Sequence, residues 1–416
     1  MALEVHRVLD AVWRIESARI IAGVARIVRD VGLAEELAQD ALVAALEQWP
    51  RAGIPDNPAA WLSSVARMRA IDAIRRNDAL ARKRDALARD AERTMATAAD
   101  DPAAYAAEEI HDDVLRLIFI AAHPVLAVDA RVALTLRLVG GLTTEEIARA
   151  FLTPLATVQQ RIVRAKRTLA AARVPFELPP PAERAARLGT VLDVIYLIFN
   201  EGYAATAGDT WMRPALCEDA LRLGRVLAAL VPDDGEVLGL IALLELQHSR
   251  ARARVGADGA PILLADQDRG RWDRLHIARG LAALTRAEAC GEPLGPFALQ
   301  AAIAACHARA RTLAETDWER IVALYDALFA LQPSPVVALN RAVAIAMADG
   351  PAAALPLVDA LAEDPALRAY HWLPSVRGDL LARLGRHDEA RGAFEQAAFL
   401  ARNPQERALL AARARR

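Results

Sequence analysis

Apolar residues return every three or four positions along almost the whole chain. Val12, Ile15, Ile20, Val24 and Ile27 do so near the N-terminus, a spacing that gathers side chains on one face of an α-helix. No sustained apolar-polar alternation bounded by turn residues interrupts the pattern, so no half-buried strand is predicted. The expected fold class is all-α.

Two stretches break the helical pattern. The first is "ATAADDPAAYAAEE" at 96–109, and the second is "VPFELPPPAE" at 174–183, whose consecutive prolines cannot sit inside a helix. They divide the chain into a segment at 1–95, a linker at 96–108, a compact segment at 109–174, a second linker at 175–182 and a long segment at 183–416. Within that last segment, "ALNRAVAIAMADGPAAALPLVDAL" and "VRGDLLARLGRHDEARGAFEQAAFLARN" both read as an apolar helix, a glycine turn and an alanine-rich helix. Setting Gly350 over Gly385 gives an offset close to the roughly 34-residue period of tetratricopeptide helix pairs. The expected architecture is therefore two small helical domains followed by a helical-repeat domain.

The middle segment carries the clearest local signals. Gly140 and Gly141 stop an apolar helix, and Thr143 with Glu146 has the spacing of a capping box, in which each side chain satisfies the other residue's backbone amide at a helix start. Ile147, Ala148 and Phe151 are expected to face inward from the short helix that follows. Thr153 and Pro154 then read as an N-cap and a first helical position. In the next helix Val158, Ile162, Ala165 and Leu169 line one face, which leaves Thr157, Gln159, Gln160, Arg161 and Arg164 on the other and Lys166 and Arg167 toward its end. That is the pattern of a helix-turn-helix, and equally of a packed helix pair with a solvated basic face.

Charge sharpens this reading. The chain of 416 residues has a formal net charge of −2, a poor overall match for nucleic acid. Yet no Asp or Glu occurs between Glu146 and Glu177, while Arg149, Arg161, Arg164, Lys166, Arg167 and Arg173 all fall in that window. The basic charge is local, where Arg and Lys can meet phosphates and Gln or Arg can present paired hydrogen bonds to base edges. With 25% charged and 5% aromatic residues, the profile is that of a globular chain with a helical lean. Cys217, Cys290 and Cys306 form no metal-ligand spacing and fit a reducing cytoplasm. The N-terminal stretch mixes charges where a signal peptide carries an apolar run, and no segment approaches the length needed to span a bilayer.

Two stretches together resemble the bacterial RNA polymerase sigma factors of the extracytoplasmic-function type. "DVGLAEELAQDALVAALEQWP" with "NPAAWLSSVARMRAIDAIRR" is similar to their region two, and "DDVLRLIFIAAHPVLAVDARVALTLRLVGGLTTEEIARAFLTPLATVQQRIVRAKR" to their region four. They stand in the family's order within the first 175 residues or so. The remainder resembles the tetratricopeptide-like extension of one subgroup, in "YLIFNEGYAAT", "DQDRGRWDR" and "PSPVVALNRAVA".

The resemblance implies an initiation factor rather than an enzyme, with core RNA polymerase and promoter DNA as partners and no cofactor or metal. It assigns Glu35, Glu36, Gln39 and Asp40 to docking on the polymerase, on a helix expected to turn Leu33, Leu37, Ala41 and Val43 inward and its acids outward. Arg67, Arg69, Arg75, Arg76, Arg82, Lys83 and Arg84 are implied at the melted (−10) element, where an unstacked base is captured. Thr157, Gln159, Gln160, Arg161, Arg164, Lys166 and Arg167 are implied at the upstream (−35) element. Met68 departs from the family, many members of which carry Asn there, so a DNA contact made by that Asn in relatives is not carried over to this chain. Trp61 reads more readily as a core anchor than as a base-stacking platform.

In the extension, Asp266, Asp268 and Asp273 alternate with Arg269, Arg271 and Arg274. Paired carboxylates can hold a divalent cation or exchange protons, but alternating signs more often resolve into ion pairs and helix caps. Asn200, Glu201 and Tyr203 suit either a pocket or a turn ending a buried helix. The eight histidines are scattered without ligand spacing. A regulatory role through a protein or small-molecule partner is expected of this part, and a repeat scaffold without DNA-directed activity is the rival reading of the whole.

Overall fold

The computed structural model describes residues 2–88, 107–151, 153–204, 211–256 and 259–415, without the side chains of residues 2, 3, 77–88, 107–112 and 149. Among the described residues every long element is an α-helix and the only β pairing is a single bridge between Val255 and Pro261, as the hydrophobic period requires. None of these helices is long and apolar enough to cross a membrane. The chain forms two compact units, residues 1–194 and 195–416.

The first unit holds α1 (Ala2–Val28), α2 (Val31–Ala52), α3 (Pro58–Ala88), α4 (Ala107–Ala121), α5 (Val128–Leu138), α6 (Thr144–Ala150), α7 (Leu155–Ala171) and the start of α8 (Pro181–Tyr203). Helices α1 to α3 pack on one another, and α5 packs on α7. Trp49, fully buried, meets the edge of Trp61 with ring centroids 5.4 Å apart, so Trp61 anchors α3 on α2. On α1 the inward face is Val5, Leu9, Ile20, Ile21 and Val24. Ile15 departs from the expected stripe and is 68% exposed, because the buried face drifts around so long a helix. Pro181 opens α8, and the boundary between the units falls inside that helix, beyond the proline run.

The predicted capping box is formed: the Thr143 amide donates to Glu146 Oε2 at 2.8 Å and the Glu146 amide to Thr143 Oγ1 at 3.1 Å. Thr153 does not cap α7. Its hydroxyl donates to the Phe151 carbonyl at 3.2 Å, and the helix instead starts from Pro154, whose carbonyl accepts from Thr157 and Val158. Gly141 takes a left-handed φ of +69°, and a Cβ there would stand 2.6 Å from Ser17 Oγ and 3.2 Å from the Trp13 carbonyl on α1. Only glycine allows both the turn and the close approach.

The second unit continues with α9 (Pro214–Leu230), α10 (Gly235–His248), α11 (Arg274–Ala289), α12 (Pro296–Arg309), α13 (Trp318–Leu331), α14 (Pro335–Ala348), α15 (Pro351–Leu361), α16 (Trp372–Arg383), α17 (His387–Leu400) and α18 (Pro404–Ala414). From α12 onward each helix packs on the next. Gly350 and Gly385, with φ of +97° and +78°, stand between the helices of two successive hairpins, α14–α15 and α16–α17. Gly239 on α10 lies so near α12 that a Cβ would fall 2.5 Å from the Ala298 nitrogen, which places two backbones in contact.

Candidate nucleic-acid interface

Helix α7 is the centre of the candidate surface. Val158, Ile162, Ala165 and Leu169 are its buried residues, one stripe of an amphipathic helix held against α5 and α6. The opposite face therefore points outward, with Gln159, Gln160, Arg164 and Arg167 exposed and Thr157 half-buried. Arg161 is tethered, its Nη2 lying 3.1 Å from Asp129 Oδ2 of α5. Asp129 is itself 67% exposed at the side chain, so the pair is solvent-screened and easily exchanged for a phosphate.

Lys166 and Glu35 depart from expectation together. Glu35 does not face outward with the other acids of α2; it is buried, and its carboxylate accepts from Arg137 Nε at 2.6 Å, from Gln39 Nε2 at 2.6 Å and lies 2.5 Å from Lys166 Nζ. Val43, expected inside, is 51% exposed. The physical reason is the neighbouring module: α5 and α7 bring two cations against α2, so that face of the helix is covered by charge-matched partners instead of hydrocarbon. Leu37 and Ala41 are buried as predicted, and Glu36 and Asp40 are exposed.

The α3 cations are distributed less evenly. Arg75 and Arg76 are exposed, Arg75 Nη1 lying 4.0 Å from Asp72 and Arg76 Nε donating to the Asp72 carbonyl at 3.3 Å. Arg69 Nη1 is 3.3 Å from Asp40 Oδ2, and Arg67 is half-buried. Met68 projects with 59% of its surface exposed. The side chains of Arg82, Lys83 and Arg84 lie outside the described residues. Two of the four acidic-helix residues, Glu35 and Asp40, are thus paired with cations assigned to DNA.

Sequence reasoning missed Arg137, Asp129 and Arg14. Arg137 could have been found as the single charge in the apolar run "VALTLRLV", since a lone cation on a buried helix face demands an acid from elsewhere. Arg14, whose Nη2 meets Glu146 Oε1 at 2.8 Å, lies on an exposed face and left no such signal.

In the extension, two of the three clustered aspartates serve as caps. Asp268 Oδ1 accepts from the Gly270 amide at 2.8 Å, and Asp273 Oδ1 accepts from the Leu275 and His276 amides at 2.9 and 3.2 Å at the start of α11. Glu201 pairs with Arg213 at 2.5 Å, and the Tyr203 ring carries the Arg254 guanidinium 3.5 Å from its centroid. No group of three metal-ligating side chains occurs among the described residues. Burial pushes the Cys217 thiol up to about 12, which keeps it protonated and unreactive at neutral pH.

Comparison with known families agrees with this layout. Residues 15–80 match sigma-70 region 2, residues 116–169 match sigma-70 region 4, and residues 187–288 match a family of unknown function, DUF6596. A protein of Rhizobium meliloti (strain 1021), named only as uncharacterized, is 48% identical over 388 residues, covering 92% of this chain and 90% of its own. With regions 2 and 4 in sequence on one chain, and α7 presenting its polar face within the second of them, the first 170 residues or so carry the two sigma-70 domains, which support a sigma factor resembling the extracytoplasmic-function type.

Proposed function

We propose that this sigma factor docks on core RNA polymerase through Glu36, Gln39 and Asp40 of α2, reads the upstream promoter element with α7, and captures the melted element with α3. The observation that carries the reading is the outward polar face of α7, where Gln159, Gln160, Arg164 and Arg167 are exposed opposite a fully buried apolar stripe. Gln and Arg near the start of such a helix suit base edges, and Arg167 and Lys166 suit phosphates. Strand separation costs a few kcal/mol per flipped base and is offset by stacking and phosphate contacts, so initiation on this surface needs no nucleophile or metal. The protein acts in the cytoplasm, where its polymerase is.

Promoter binding also requires the modules to part. Elements named for positions 35 and 10 are about 25 base pairs apart, roughly 85 Å at 3.4 Å per pair, whereas Glu35 and Lys166 touch at 2.5 Å. Freed by that opening, Glu35 joins the polymerase-facing acids and Lys166 the DNA-facing cations.

Arg161→Ala combined with Arg164→Ala is expected to abolish transcription from the cognate promoter in a reconstituted reaction with core polymerase, while the variant keeps its far-ultraviolet circular dichroism. Unchanged transcript yield would sink the assignment of α7. The extension regulates initiation, and the stacked hairpins α14–α15 and α16–α17 support reading it as tetratricopeptide-like, a form that commonly presents a concave surface to a partner. A chain ending at Val194, the last residue of the first unit, should give altered transcript output with the same polymerase; equal output counts against a regulatory extension.

A further inference from the structure

We propose that the first unit holds a binding site for a small phosphorylated molecule of nucleotide size, in a cleft bounded by the α1–α2 turn on one side and the end of α7 on the other. The cleft has a volume of about 480 Å³, and Arg26, Arg29, Lys166 and Arg173 line it. Volumes of 300–1,000 Å³ are usual for sites that enclose small organic ligands.

The backbone marks two of these arginines. Arg29 and Arg173 have φ of +54° and +48°, and they are the only non-glycine residues with positive φ among those described. Each sits just past a helix end: the Arg29 amide donates to the Ala25 carbonyl at 2.8 Å, and the Val174 amide, beyond Arg173, donates to the Leu169 carbonyl at 3.2 Å. Glycine is the residue this left-handed position favours, because a Cβ is penalised there. The negative end of a helix dipole does attract cations, but a cation within the last turn, such as Arg26 of α1, serves that purpose in an unstrained conformation. Two helices from different parts of the chain both place arginine where glycine fits better, and both direct it to one cleft. Strain of this kind concentrates at ligand sites.

The charge balance agrees. Lys166 is matched by Glu35 at 2.5 Å, and Arg26 lies 3.9 Å from Asp113. Asp30 lines the cleft but its carboxylate is committed to the Leu33 amide at 2.9 Å as the N-cap of α2. Arg29 and Arg173 make no described ion pair, and Glu177 is the one other acid on the wall. The N-terminus of the 22-residue α2 opens on the same space through Val31 and Gly32, adding the positive end of a helix dipole. Beside these charges, Leu169, Pro175 and Phe176 add apolar surface to the lining. A ligand with a phosphate at one end and a planar ring at the other matches both. Because the cleft joins α1–α2 to α7, an occupied site holds the two sigma modules together.

The test uses the full chain at constant ionic strength, with ATP, GTP and pyrophosphate titrated separately and followed by calorimetry and thermal unfolding. A saturable rise in Tm with a nucleotide, larger than with pyrophosphate, is expected. Arg29→Gly with Arg173→Gly should fold with an equal or higher Tm, since glycine suits both positions, and should lose at least tenfold in nucleotide affinity. Arg29→Asn with Arg173→Asn, which also tolerates the left-handed backbone, should behave alike. The proposal is overturned if none of the three compounds gives a saturable shift, if both double variants bind as tightly as the parent, or if only duplex DNA binds in an Arg29- and Arg173-dependent way. The site rests on the cleft alone and not on the initiation reading, so promoter binding by the protein with core polymerase, followed by gel shift in the absence of nucleotides, reports separately on the latter.

Discussion

Glu35→Gln is expected to destabilise the first unit by about 3 kcal/mol or more, the usual cost of removing one partner from a buried ion pair. The Glu35 side chain is 3% exposed, and its partners Arg137 and Lys166 are 16% and 20% exposed, so the two cations would be left with little water to replace the carboxylate. Much of the cost comes from those stranded charges. The triple variant Glu35→Gln, Arg137→Met, Lys166→Met should accordingly recover most of the stability, because replacing a whole buried ionic group by packed apolar side chains is often neutral. Arg14→Ala is the control: its pair with Glu146 is 46% and 32% exposed and should cost less than about 1 kcal/mol. Urea unfolding midpoints, compared at equal m-values, measure all three. A Glu35→Gln protein within 1 kcal/mol of the parent, on the scale of an exposed pair, would show that the contact between α2 and α5–α7 is not a latch.

Arg269→Ala should have an effect of similar size on the second unit. The Arg269 guanidinium, 8% exposed as a residue, donates to the carbonyls of His307 and Ala310 at 2.8 and 3.0 Å and to Thr316 Oγ1 at 3.0 Å. These are the end of α12 and the loop that leads to α13, so one side chain ties "DQDRGRWDR" to a segment about forty residues on. Losing it leaves buried carbonyls without donors, and charged hydrogen bonds contribute about 1.5–3 kcal/mol each; a loss of about 3 kcal/mol is a low estimate. Lysine should not rescue, since a single ammonium cannot reproduce the planar fork that reaches three acceptors. Arg271→Ala, at an exposed position two residues on, should stay within about 0.5 kcal/mol. Denaturation followed by tryptophan fluorescence suits the test, because Trp272 lies 5.0 Å from the Arg269 guanidinium. If the two alanine variants unfold together, the hub is misassigned.

The same motif explains what a linear reading could and could not reach. The alternation of Asp and Arg at 266–274 indicated caps or ion pairs as one outcome, and Asp268 and Asp273 are caps. Nothing in the run said which arginine would be buried, because its acceptors lie near residues 307–316 and the spacing of the run carries no information about them. The capping box at Thr143 and Glu146, by contrast, was legible because both partners are three residues apart and each satisfies the other's amide. Thr153 shows the limit of local rules: its neighbour Pro154 starts the helix and the hydroxyl turns to Phe151.

By itself, then, the amino-acid order determined whatever has a range of a few residues: an all-helical chain from its apolar period, the inward stripe Val158, Ile162, Ala165 and Leu169, the local excess of basic charge around α7, and the glycine turns at 350 and 385. Tertiary structure alone decided which charges meet. Glu35 looks like any other acid on an amphipathic helix until Arg137, 102 positions away, and Lys166 arrive against it. Helical periodicity specifies a direction around one axis, whereas burial of a charge depends on the energy of contact with a second helix whose position that period does not contain.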